Sequence, residues 1–262
     1  MYEFHKDKKR YFDFQYRTAR DYILPFIAEF FPSDKTLRVL EVGCAEAGVL
    51  KAFVEQGHQC TGIELSESRT TLARQFQAEA VASGELRFLN KNIYDIDGKK
   101  DLEYLFDLII LKDVIEHIPD QQRVLGKLKE FLAEDGKMFF GFPPWQMPFG
   151  GHQQICENKL LKALPWYHLL PRGLYHSILK AAGEKPSRIE ELLEIKDTGI
   201  SIGQFEKYCR ANDLSIFKSK YFFTNPIYHF KFGLPVIAFP NFLGKIPFIR
   251  NFYITASYYV VG

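Results

Sequence analysis

Cysteine is scarce in this 262-residue chain: Cys44, Cys60, Cys156 and Cys209 are the four present. No two of them have the spacing of a metal ligand pair or a redox motif, which excludes a cysteine-built metal or redox centre. They are expected as free thiols in a reducing, cytoplasmic setting. Net charge is equally sparse, at +2. There is no broad basic field of the kind that holds a phosphate backbone, so nucleic acid is not an expected partner. No apolar run is long enough to cross a bilayer, and the polar stretch Met1–Arg10 lacks a signal-peptide core. Carboxylates and histidines nowhere fall at ligand spacing along the chain, so no metal is expected. Internal repeats and low-complexity segments are also missing.

What remains is ordinary globular material, 47% hydrophobic and 25% charged, with a high aromatic share of 16%. Short apolar runs alternate with longer amphipathic ones, the pattern of βαβ units around a parallel sheet. Strands are expected at Leu37–Val42, Cys60–Leu65, Leu86–Leu89, Phe106–Leu111 and Lys137–Phe142, with helices between them. Ser66 is placed to cap one of these helices, and Ile118–Leu132 is amphipathic. An aromatic opening helix, Tyr11–Phe31, carries an interrupting Pro25. After Phe142 the alternation stops, and residues 143–200 read as a helical insertion over the carboxyl edge of the sheet. It resumes at Ser201, where Ser-Ile-Gly-Gln forms a capping box, followed by strands at Ser215–Phe223 and Asn251–Val261. The last is expected as an antiparallel edge strand. The fold expected is α/β, a doubly wound, seven-stranded, mostly parallel sheet. Its parts are a helical cap (1–36), a Rossmann-like core (37–142), the helical lid (143–200) and a C-terminal return to the sheet (201–262).

The chemistry concentrates at the ends of the first two strands. In Val39-Leu40-Glu41-Val42-Gly43-Cys44-Ala45-Glu46-Ala47-Gly48 a strand runs through small residues into a helix, so that backbone can approach a ligand closely. Glu41 is placed to hold a cationic group. In Gly62-Ile63-Glu64-Leu65 an acid ends the second strand, about 20 residues beyond Gly43, the spacing of a ribose-binding carboxylate. A dinucleotide turn needs G-x-G-x-x-G to seat a pyrophosphate, whereas Ala45 holds the middle position here. Glu41 and Glu46 would repel phosphate and favour S-adenosylmethionine, which is cationic and carries none.

These residues resemble the class I S-adenosylmethionine-dependent methyltransferases. VLEVGCAEAG is similar to their first motif, GIEL to their ribose-binding strand, and Phe106–Asp120 (FDLIILKDVIEHIPD) to their fourth strand and its loop. The likeness covers about residues 37–142 and departs at Ala45 and Ala47, where glycines are usual. It implies Glu41, Gly43, Cys44, Ala45 and Gly48 around the methionine part of the donor, Glu64 on the ribose and Leu65 against the adenine. Asn92 and Ile93 would meet the adenine edge, and Lys112 and Asp113 would lie beneath the sulfonium, with the Lys112 ammonium expected to point away.

His152, after Gly150-Gly151, is the candidate general base for a hydroxyl acceptor, assisted by Asp113; a neutral imidazole suits that task near neutral pH. His117 is expected to brace its loop. Phe142-Pro143-Pro144-Trp145 only superficially resembles the motif of amino-methylating enzymes, because its first residue cannot accept a hydrogen bond. Pro226–Arg250 is rich in apolar residues and lacks acids, with Lys231, Lys245 and Arg250 as its charges. A crossover, an acceptor pocket, a dimer surface and a peripheral membrane contact all remain open for it. The expectation is methyl transfer to a hydroxyl, less readily an amine, of a small molecule, glycan or lipid-linked intermediate, by a monomer or homodimer. The rivals are a nucleoside-binding module without catalysis and a nucleotide-dependent oxidoreductase.

Overall fold

The computed structural model describes residues 7–244 and 246–262; Lys245 and Met1–Lys6 lie outside the described residues. Seven strands form one sheet in the order β3-β2-β1-β4-β5-β7-β6. They are β1 (Arg38–Val42), β2 (Gln59–Ile63), β3 (Leu86–Leu89), β4 (Phe106–Lys112), β5 (Leu132–Phe142), β6 (Ile216–Phe222) and β7 (Ala256–Val261). β1 to β5 pair in parallel, and β7 runs antiparallel to both β5 and β6. The strand order reverses between β1 and β4, and a crevice at such a reversal is where doubly wound folds bind ligands.

The central strands are buried on both faces, as all seven residues of β4 show. One apolar layer joins Leu40, Ile109, Phe140 and Phe205; the other joins Val39, Leu50, Ile110 and Phe139. The β7 segment departs from expectation. It lies inside the sheet, and β6 forms the edge. All six β7 residues are buried, whereas β6 leaves Ile216, Phe217, Ser219 and Lys220 exposed, so the alternation of aromatic and small residues in β7 fills two faces.

The opening helix forms as α1 (Lys8–Thr18), a π-helical turn (Ala19–Ile23) and α2 (Leu24–Ile27). Pro25 sits in the first turn of α2, where its missing N–H costs least. Helix α3 (Gly48–Val54) packs on α1 so closely that a Cβ at Gly48 would lie 2.4 Å from the Phe12 carbonyl oxygen. After β2 the expected single helix is broken at Gln77 into α4 (Glu67–Phe76) and α5 (Ala78–Ala82). The Gln77 amide turns inward and donates to the Ala47 carbonyl at 2.8 Å, bracing the turn after β1. Helix α6 (Gln121–Lys129) is shorter than the periodicity suggested, because Leu132 already pairs with Phe106 as part of β5.

The insertion is helical, with α7 (Lys159–Ala163), α8 (Arg172–Ala181) and α9 (Pro186–Thr198). It has its own apolar centre of Leu161, Tyr167, Tyr175, Leu179, Leu192 and neighbours. Then α10 (Ile202–Ala211) opens with the capping box of Ser201 and Gln204, as the sequence indicated. Short helices α11 (Pro226–Phe232), α12 (Asn241–Gly244) and α13 (Ile249–Tyr253) fill the crossover to β7. No helix among the described residues is long and apolar enough to cross a membrane.

His168 pins the insertion to the loop after β5. Its Nε2 lies 2.9 Å from the Trp145 carbonyl, which can only accept, so Nε2 carries the proton and Nδ1 accepts from the Gln153 amide at 3.3 Å. Burial pushes the His168 pKa down to about 4, against the opposing hydrogen bond to Trp145. A pKa lower in the folded than in the unfolded state means that stability is full above about 6.5 and falls as the pH drops towards 4. We expect acid to loosen the insertion over that window, by on the order of 2–3 kcal/mol. Tryptophan fluorescence reads it, since Trp145 packs edge-on against His168. H168Q should flatten the pH dependence, and an unchanged profile would assign the transition elsewhere.

Candidate active site

The turn after β1 is built from backbone in the left-handed region. Gly43, Ala45 and Ala47 have φ of +70°, +52° and +61°. At Gly43 a side chain is also blocked, because its Cβ would fall 2.7 Å from a Val114 methyl. Ala45 and Ala47 adopt a conformation that alanine disfavours by about 1–2 kcal/mol each. The turn is held by Gly43 N–H to the Ile63 carbonyl at 2.8 Å and by Ala45 N–H to the Glu64 carboxylate at 2.9 Å. The other Glu64 oxygen accepts from Ser66 N–H, also at 2.9 Å. Each carboxylate oxygen keeps lone-pair capacity for a further donor, such as a ribose hydroxyl.

Glu41 lies at the foot of the same turn, 3% exposed, and its Oε2 has no hydrogen-bond partner among the described residues. Burial pushes its pKa well up; Lys112 opposes that shift and Glu64 adds to it. Lys112 does not point away as expected. It is buried, ion-paired with Asp113, and lines the same small cavity as Glu41, Gly43 and Ala45. The reason is local: the Asp113 backbone is left-handed at φ +55°, which turns its carboxylate back over Lys112. Asp113 is thereby engaged by a lysine, which makes it a weak candidate for a base. Glu46 also departs from the expected role of a bare acid, because Lys8 and Arg69 pair with it at 3.1 and 3.2 Å.

Further along the sheet edge, Leu65 is 69% exposed and forms an open shelf. Ile93 is buried in the core layer, and exposed Asn92 uses its amide oxygen to cap Tyr94 N–H at 3.0 Å. Asn90, absent from the expected set, bonds the Glu64 carbonyl and the Thr70 hydroxyl and fixes this shelf. Cys44 is buried behind the turn, with its sulfur where a Gly62 side chain would stand. These groups have the chemistry to suit a cationic sulfur nucleoside: a buried carboxylate oxygen without a partner among the described residues, a close-approach turn, and the Glu64 carboxylate with capacity for hydroxyl donors. The cavity at the turn is about 20 Å³, and Tyr11 and Gln15 of α1 line it together with Glu41, Gly43 and Ala45.

No local motif marks Tyr11 and Gln15 as neighbours of this turn, and Lys231, noted only as a charge of its apolar segment, joins them through the fold. Lys231 comes from α11, which packs on α1; its ammonium lies 4.9 Å from the Tyr11 ring, and burial pushes its pKa down to about 8.

A second, larger cavity of about 830 Å³ opens between the loop after β4 and the insertion. His117 and His152 both line it, with their rings 4.9 Å apart and edge-to-face. Gln121, Thr198, Gln204 and Tyr208 add hydrogen-bonding groups to its wall. His152 has a left-handed φ of +53° and starts a 3₁₀ turn. Sequence alone placed His117 as a loop brace; the structure sets it beside His152 on the same wall. Glu116, next to it, is buried, and that burial pushes its carboxyl pKa well up.

A family model described as a methyltransferase domain matches residues 14–183. The ubiquinone biosynthesis O-methyltransferase of Coxiella burnetii is 28% identical over 106 residues, 40% of this chain and 43% of that protein. The protein of the same name from Pseudomonas aeruginosa is 24% identical over 186 residues, covering 68% of this chain and 75% of its own length. The chain thus spans less than half of the Coxiella relative. Among solved structures, magnesium protoporphyrin IX methyltransferase from Synechocystis PCC 6803, with bound S-adenosylhomocysteine, superposes with a TM-score of 0.54 at 13% identity. The alignment covers 94% of this chain and 83% of that one, a likeness of fold.

Glu64→Gln tests the donor side. The amide keeps one acceptor but turns an N–H₂ towards a backbone N–H, so affinity for S-adenosylhomocysteine should fall about 10–100-fold, the loss of a charge-assisted bond. Calorimetric titration measures it, and unchanged affinity would remove Glu64 from the donor site.

Proposed function

We propose that this chain, which belongs to the methyltransferase-domain family, moves a methyl group from S-adenosylmethionine to a hydroxyl on a small molecule, glycan or lipid-linked intermediate. S-adenosylmethionine is the cofactor of the family. Bound, it supplies an electrophilic methyl carbon on a cationic sulfur. The observation that carries the proposal is a pair of unlike features at the ends of neighbouring strands: an acid-based turn after β1, and a polar cavity lined by His117 of the loop after β4 and by His152.

Each side chain then has a task. Glu64 orients the ribose, and Glu41 balances positive charge in a site where water cannot screen it. The backbone of Gly43 and Ala45 permits close approach, and Ile93 and Leu65 flank the adenine. Lys112 and Asp113 neutralise one another, so the pair adds little net field at the sulfur. Across the cavity, His117 and His152 promote loss of the acceptor's proton. Holding donor and acceptor in line supplies most of the rate. Polar groups on the cavity wall support a hydroxyl-bearing acceptor over a wholly apolar one.

Ala45 and Ala47, standing where the first motif usually has glycines, favour one second reading, a nucleoside-binding module without turnover. Methyl transfer from labelled S-adenosylmethionine to a panel of hydroxyl acceptors separates the two. His152→Ala should lower kcat about 100-fold or more, with S-adenosylhomocysteine affinity unchanged. Full turnover in that variant would exclude His152 from the reaction. Donor binding with no product from any acceptor would favour the binding module.

A further inference from the structure

We propose that Glu116, His117 and His152 form a binding site for one divalent transition-metal ion of the zinc type. Their ligand atoms, one from each side chain, all lie within 4.8 Å of one another. Two imidazoles and one carboxylate make a well-known zinc donor set, with further coordination positions left open. The spacing that would have revealed it is absent from the sequence, because His152 reaches the other two only through the fold.

Glu116 is the independent observation. It is 5% exposed, and neither of its carboxylate oxygens has a hydrogen-bond partner among the described residues. An ionised carboxylate left alone in that position is costly, and a protonated one still leaves its hydroxyl without an acceptor. A cation between Glu116 and the histidines satisfies it.

The backbone around the site is fixed from several sides, as ligands of a metal need to be. Thr198 in the insertion donates its hydroxyl to the Glu116 carbonyl at 2.7 Å, and His117 N–H bonds the Val114 carbonyl at 2.9 Å. His152 is held by its N–H to Phe149 and by Ile155 N–H to its carbonyl, at 3.1 and 3.0 Å. The edge-to-face arrangement of the two imidazoles suits ligands converging on one point more than stacked rings would. Both rings also face the 830 Å³ cavity, so the ion's remaining positions open towards the space where we place the acceptor. The metal assignment itself stands on the three side chains and holds whether or not the chain transfers methyl groups; while the ion is bound, His117 and His152 are its ligands and not free bases.

The test uses the full chain, stripped with a chelator and dialysed. Zinc is titrated against a chromophoric competitor, and cobalt is added separately to read its visible ligand-field bands. We expect one equivalent of tight zinc binding and a cobalt spectrum of low-symmetry, nitrogen- and oxygen-ligated type. E116Q and H152A should each weaken zinc binding at least tenfold. H176A, at an exposed histidine of α8 away from the cluster, should leave it unchanged. S-adenosylhomocysteine affinity in E116Q and H152A, measured in the same preparations, reports that the fold and donor site persist. A wild-type chain that takes up no zinc or cobalt overturns the proposal. So does tight zinc binding that survives both E116Q and H152A with donor affinity intact.

Discussion

Glu64 bonds two backbone N–H groups at once, and through them the end of β2 controls the shape of the turn after β1. That turn contains two alanines in left-handed backbone, a conformation alanine leaves unless something holds it. Three contacts do so: the Glu64 carboxylate on Ala45, the Ile63 carbonyl on Gly43 and the Gln77 amide on Ala47. The usual glycines are unnecessary because neighbouring elements supply the constraint. The same carboxylate that shapes the turn is the group we propose for the ribose, so on that reading structure and recognition share it.

The site grows outward from this constraint. Parallel β1 and β4 bring Glu41 beside Lys112, and the loop after β4 carries Glu116 and His117 to the rim of the larger cavity. Helix α1 borders the turn, and the insertion walls the cavity from the opposite side. Because the insertion has its own apolar centre and is tied down through His168 and Thr198, its wall is defined by polar bonds more than by continuity with the sheet's core. A loosened insertion would therefore alter the acceptor side while leaving the Glu64 turn in place.

Much of the scaffold was legible in the sequence. Continuous apolar runs identify the central strands because those strands are buried on both faces, and the capping box at Ser201 marks its helix through local chemistry alone. The misreadings arose where a long-range partner decides. β7 reads as an edge because its aromatic and small residues alternate, yet both its faces are covered. Helix α4 ends early because Gln77 is drawn to Ala47, thirty residues upstream in the chain. Lys112 turns inward because Asp113 reverses over it, and Glu46 loses its bare charge to Lys8 and Arg69. No periodicity encodes those pairings. The meeting of His117 with His152 was likewise invisible, since it depends on two loops at the carboxyl ends of β4 and β5. The acceptor's identity is not written in any local motif, because the wall that would recognise it is assembled from distant segments.

The central claim is that the Glu41–Glu64 crevice accepts a cationic sulfur nucleoside and refuses a pyrophosphate. Equilibrium dialysis of the full chain against S-adenosylmethionine and NAD, side by side, tests it most directly. The account predicts one molecule of S-adenosylmethionine retained per chain and no retention of NAD. Retention of the dinucleotide with none of the sulfonium compound would contradict it.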